Sequence, residues 1–104
     1  MADLGDLGVV ETVRLTSSGE VSSRAVVDSV LERIERTNRR FNAFTVVLAE
    51  TARAEADGRD AELARGEAAG PLHGVPVAIK EEIDVAGTVT TFGGDANTTP
   101  VAAE

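Results

Sequence analysis

"GPLHGVPVAIKEEIDVAGTVTTFGG", residues 70–94, decides how this chain reads. It holds two of the three prolines, the single histidine, His73, and the single lysine, Lys80; every other basic side chain is an arginine. Within it, VPVAI (residues 75–79) is short, apolar and β-branched, the pattern of a strand covered on both faces. Pro76 has no N–H to donate, which restricts such a strand to an edge or places the proline among its first residues. TVTTF, residues 88–92, is a second and weaker extended candidate inside a loop-like stretch from 84 to 94.

Upstream, the periodicity changes from two to about 3.6. A helix is expected over 23–40. Ser22 is a natural N-cap, and Val21 and Val26 stand at the spacing of a hydrophobic staple. Val27, Val30, Leu31, Ile34 and Phe41 then fall on one stripe. Opposite that stripe, Glu32 with Arg36 and Glu35 with Arg39 are i,i+4 pairs worth ~0.3 kcal/mol each. Arg39 and Arg40 suit the negative end of the helix dipole.

A further helix is expected over 47–66. Its apolar face, Ala49, Ala52, Ala56 and Leu63, is shallow, and Gly66 is a candidate C-cap. Gly58 in its interior costs about 1 kcal/mol relative to alanine, so tertiary contacts must support it. A shorter helix is expected over 8–17, ended by SSGE. The run EADGRDAELARGE reads as a solvated helix face.

Composition bounds the possibilities. The chain has 104 residues, 42% hydrophobic but only 3% aromatic, with no Trp, Tyr or Cys. That core is light for a domain of this length, and no disulfide framework or thiolate metal site can form. The net charge of −8 repels a phosphate backbone, so nucleic acid is not an expected partner. MADLGDLGVV has neither a basic n-region nor a long apolar run, so no membrane anchor is expected and the reading is a cytoplasmic protein. A doubly covered strand needs neighbours for its backbone and both faces. One weak strand and a few helices cannot supply them. The expected fold class is therefore α/β: N-terminal helices followed by the opening strand or strands of a larger α/β domain, incomplete as an independent domain.

The motif at 70–94 resembles the first motif of the amidase signature family of serine hydrolases. That pattern runs approximately Gly-Pro-Leu-x-Gly-(Val/Ile)-Pro-x-x-(Val/Ile)-Lys-(Asp/Glu), then Asp-Val-x-Gly and a Thr-Thr pair. Here Gly70, Pro71, Leu72, Gly74, Val75, Pro76, Ile79, Lys80 and Glu81 match, followed by Asp84, Val85, Gly87, Thr90 and Thr91. The helices upstream, joined by RRFNAFTVV, are similar to the family's N-terminal helices. The similarity spans nearly the whole chain but only the opening fraction of a family enzyme, so residues 1–104 read as an N-terminal fragment of an amidase domain, and the resemblance implies that 75–79 and 88–92 begin the family's mixed sheet.

The resemblance implies hydrolysis of an amide C–N bond by a Ser-Ser-Lys triad without a cofactor, acting on a small-molecule amide. One serine attacks the carbonyl, and a second, held by a cis peptide bond, relays its proton to a neutral lysine. Lys80 matches that lysine. A lysine at its ordinary pKa of about 10.4 is protonated at neutral pH and cannot accept a proton. Desolvation disfavours the ammonium and makes the side chain a usable base. The alternative for Lys80 is a strand-end lysine in water, paired with Glu81 or Glu82.

Other residues weigh less. His73 is expected to fill the motif rather than to catalyse. Glu81, Glu82 and Asp84 lack the spaced partners of a cation site and read as turn residues, so no metal is expected. Glu82 replaces an asparagine common among relatives, which bears on substrate preference. Gly93 and Gly94 are candidates for a substrate-binding loop or a turn.

The serines of this chain are Ser17, Ser18, Ser22, Ser23 and Ser29, and none lies in a Gly/Ser-rich loop. With a base but no nucleophile or oxyanion hole, the chain alone is expected to be inactive. A downstream segment or a second chain would supply the serines. The alternatives are a non-catalytic remnant acting as an interaction module, and the N-terminal part of the A-type component of a glutamine-dependent tRNA amidotransferase.

Overall fold

The computed structural model describes residues 3–92 and 101–104. A 3-10 turn, Leu4–Asp6, precedes three helices: α1 (Val9–Ser18), α2 (Ser23–Phe41) and α3 (Ala49–Ala64). α2 packs against α3 on one side and the 3-10 turn on the other.

Each helix end is explained locally. Gly19, at φ 78°, ends α1 in the left-handed region where glycine carries no steric penalty. Ser22 Oγ accepts from the Ala25 N–H, capping α2. Asp60 of α3 caps the same helix from outside: its carboxylate accepts from Ser23 N at 2.7 Å and Arg24 N at 3.0 Å. α2 ends at Asn42, left-handed at φ 48°, with Arg39 and Arg40 in its last turn. α3 closes on Gly66 at φ 80°, where the N–H groups of Gly66 and Glu67 return to the carbonyls of Leu63 and Glu62.

The charge pattern on α2 differs from the expected one. Arg36 lies 3.7 Å from Asp3 rather than serving Glu32. Ion pairs also tie elements together: Arg33 holds Asp3 and Asp6 of the N-terminal turn, each at 2.7 Å, and Asp28, paired with Arg24 of its own helix at 3.0 Å, also takes Arg53 of α3 at 3.0 Å. A guanidinium that reaches a second element finds a better-held acceptor than a mobile glutamate one turn away on its own helix.

Among the described residues, the buried apolar side chains are Val26, Val27 and Ala56. The rest of the α2 stripe is half-buried, and Phe41 lies outside it, exposed beneath the Arg40 guanidinium at 5.2 Å. The radius of gyration, 15.5 Å, exceeds the ~13 Å of a compact domain this long.

No β-strand occurs among the described residues. The mixed sheet expected from 75–79 and 88–92 is therefore not formed here, and the chain is mostly helical. Among the described residues 75–79 have no ladder partner, and Val77 and Ile79 are 69% and 52% exposed. Within the weak candidate Val89 makes an isolated bridge to Ala102, and just before it Ala86 makes another to Ala103. A strand is defined by the neighbour that pairs its backbone, and none of the described segments lies alongside 75–79. No described helix is long and apolar enough to cross a membrane.

Candidate active-site segment

Residues 70–92 leave α3 and run back across the bundle. The 70–74 turn is closed by His73 N donating to Gly70 O at 3.1 Å, and Val75 N then donates to Leu72 O at 3.1 Å. Gly74 is left-handed, at φ 74°. The turn is seated on α1 and α2: Thr16 Oγ1 donates to His73 O at 2.7 Å, and His73 is only 6% exposed. Beyond it, 75–78 pass over a groove of about 270 Å³ whose apolar walls include Leu4, Leu7, Val26 and Val30.

Lys80 stands at the end of that run. Its side chain is 76% exposed, with Nζ 3.2 Å from Glu82 Oε1. The lysine and its acidic neighbour thus form a surface ion pair. The desolvation that a lysine base requires is not provided by the described residues.

Glu81 behaves differently from its neighbours and is more than a turn residue. Thr45 Oγ1 donates to one carboxylate oxygen, while the N–H and hydroxyl of Thr91 donate to the other, both at 3.0 Å. Its own carbonyl accepts from Phe92 N at 3.2 Å. The Thr45 hydroxyl, then the Thr91 N–H and hydroxyl, hold the Glu81 carboxyl below its ordinary value. Thr45 is itself placed by Asn38 at the end of α2, whose side-chain amide donates to Phe44 O at 3.0 Å and accepts from Phe44 N at 2.9 Å. A hydrogen-bonded path therefore runs from α2 to the residue beside Lys80.

Asp84 accepts from the Thr90 hydroxyl at 2.5 Å. Among the described residues no group of three His, Cys, Asp or Glu side chains is arranged to hold a metal ion. Gly93 and Gly94 lie outside the described residues.

No pattern in the sequence marks Thr16, Asn38 or Asp60. Their roles depend on partners 57, 6 and 37 residues away, respectively. His73 did carry a signal: a lone imidazole in an apolar flank is as compatible with burial as with catalysis.

Known proteins share this chain's sequence and fold. The amidase family model matches residues 25–104, and this chain belongs to that family. It is 47% identical over 85 residues to a glutamyl-tRNA(Gln) amidotransferase component of Halorhodospira halophila, covering 82% of this chain and 17% of that protein. It is 42% identical over 90 residues to AtzE, part of the 1-carboxybiuret hydrolase of Pseudomonas sp. strain ADP, covering 86% and 20%. Against an amidase of Pseudomonas putida the figures are 38% over 97 residues, 93% and 21%. A solved chain from a vestigial complex bearing on the origins of an s-triazine catabolic enzyme superposes with a TM-score of 0.86 at 41% identity. That alignment covers 92% of this chain and 21% of the solved one. The chain spans about a fifth of the length of these relatives.

Proposed function

We propose that residues 1–104 are the N-terminal part of an amide hydrolase, that Lys80 is its catalytic lysine, and that the serines come from sequence beyond these residues or from a second chain. The observation that carries this reading is the motif from Gly70 to Thr91, in register with the family pattern and inside the segment that the family model matches. The exposure of 76–79 supports it: an apolar run left open to solvent suits a sheet strand awaiting neighbours. Covering that strand would also bury Lys80, separate it from bulk water and disfavour its ammonium. The proton would then pass from the attacking serine, through the second serine, to Nζ.

The amidotransferase reading shares this chemistry, because release of ammonia from glutamine is also amide hydrolysis. The net charge of −8 gives this part of the chain no attraction for tRNA, so hydrolysis of a small amide is favoured.

The test replaces the matching fifth of the Pseudomonas putida amidase with residues 1–104. The graft should hydrolyse amides, and Lys80→Ala should reduce kcat by on the order of 10²–10⁴, the range for loss of a general base. Melting of the isolated chain should change little, because Lys80 is exposed and its ion pair is at the surface. An active graft that keeps its turnover with Lys80→Ala would overturn the assignment.

A further inference from the structure

We propose that Thr16 of α1 and Ser23 of α2 form a buried seat for the His73 and Gly74 backbone, and that this seat positions Lys80. The inference rests on the reading of Lys80 as the catalytic lysine, and it assigns the positioning role to residues far from it in sequence.

Three observations converge on the seat. The Thr16 hydroxyl is buried and has one proton to donate; of the carbonyls within reach, His73 O at 2.7 Å is nearer than Thr12 O at 2.9 Å or Val13 O at 3.3 Å. Gly74 fits with no space to spare: a Cβ there would lie 2.6 Å from Ser23 Oγ and 2.8 Å from Thr16 Cγ2, and its φ of +74° disfavours any other residue. His73 closes the seat, its ring buried with Nε2 making no hydrogen bond among the described residues.

The position of the seat gives it leverage. Lys80 is six residues beyond Gly74. At ~3.3 Å per extended residue that is an arm of about 20 Å, stiffened by the fixed φ of Pro76. A rotation of roughly 10° at the root of such an arm moves its tip by about 3 Å, and a 1 Å misplacement at a reacting centre can cost ~10²-fold. The seat acts through Lys80 and touches no substrate.

Because His73 is the only histidine, its carbethoxylation by diethyl pyrocarbonate reports directly on whether the seat is closed. On the full 104-residue chain, Thr16→Val should raise the rate of His73 modification by on the order of tenfold, as loss of one net hydrogen bond predicts. Thr16→Ser, which keeps the hydroxyl, should stay near the original rate. Gly74→Ala opens the seat from the other side and should act like Thr16→Val. In the active graft, Thr16→Val should lower kcat with KM little changed, and Thr16→Ser should restore it.

An unchanged His73 rate in both Thr16→Val and Gly74→Ala overturns the seat. A faster His73 reaction with an unchanged kcat overturns its positioning role. If Lys80→Ala leaves the graft active, the catalytic reading fails separately, and the His73 rates still decide whether the seat exists.

Discussion

Replacing Asp60 with alanine tests how the helices hold together. The Asp60 carboxylate reaches from α3 to the first two N–H groups of α2, at 2.7 and 3.0 Å, while Ser22 takes the third. These donors have no partner within α2, and they lie at the positive end of its dipole. Ser23 is fully buried, so water is poorly placed to replace the lost acceptor. A cap is worth about 1 kcal/mol, and stranding a buried donor adds ~1–3 kcal/mol. Asp60→Ala should therefore cost about 2–4 kcal/mol, or roughly 10–30 °C of Tm at this chain length. Asp57→Ala, one turn earlier in α3, is the matched control. It loses only a surface ion pair to Arg24 and should cost under ~0.5 kcal/mol. The assay is the 222 nm dichroism melt of the three chains side by side. If Asp60→Ala melts within 3 °C of Asp57→Ala, on the order of the control's own effect, the cross-helix cap is not supporting α2 and the reasoning fails.

The glycines separate two effects in the same assay. Gly58→Ala has no atom within 4 Å of its new Cβ and should stabilise α3 by about 0.5–1 kcal/mol, whereas Gly74→Ala adds a left-handed strain to a close clash and should cost about 2–4 kcal/mol. Equal melts for the two variants would contradict the packing described around Gly74. Acid should loosen the chain through carboxyl groups held low. Thr45 and Thr91 depress Glu81 below 4.5, and Ser29, the Gly5 N–H and Arg33 depress Asp3 below 3.8. A folded pKa below the unfolded one contributes stability that is complete above about pH 5 and is lost as the pH falls through the folded value. The Thr91 amide resonance should accordingly hold steady to below pH 4.5 and lose that transition in Glu81→Gln; a midpoint at or above 4.5 would refute the Glu81 hub.

What could be read from the sequence divides along the range of the interactions. Ser22 and Gly66 act on backbone groups within a few residues, so their identities and spacing mark helix ends, and these two caps stand where the pattern puts them. The charges on α2 were less legible. An i,i+4 rule knows only one helix, while Arg33, Arg36 and Arg53 choose among acceptors that folding brings from other elements. Asp60 and Thr16 lie beyond any local rule, because a mid-helix aspartate or threonine looks like surface until its partner is known. The extended run at 75–79 is the opposite case. Its composition states plainly that both faces should be covered, and the described residues leave 76–79 exposed.

That contrast bears on Lys80. Under the proposed reading of Lys80 as a base, its surroundings divide the work of building that base into two parts with different origins. Placement is already present: Thr16 and Gly74 fix the root of the segment, and Glu81, tied to Thr45 and Thr91, fixes the residue beside the lysine. Desolvation is not, since Nζ is in water opposite Glu82. The two are separable in principle, because hydrogen bonds to the backbone set position whereas low-dielectric surroundings set basicity. A cover that arrives with the serines would supply both the nucleophile and the dry environment in one step. On that proposal the lysine would meet its dry surroundings only where there is a serine proton to accept.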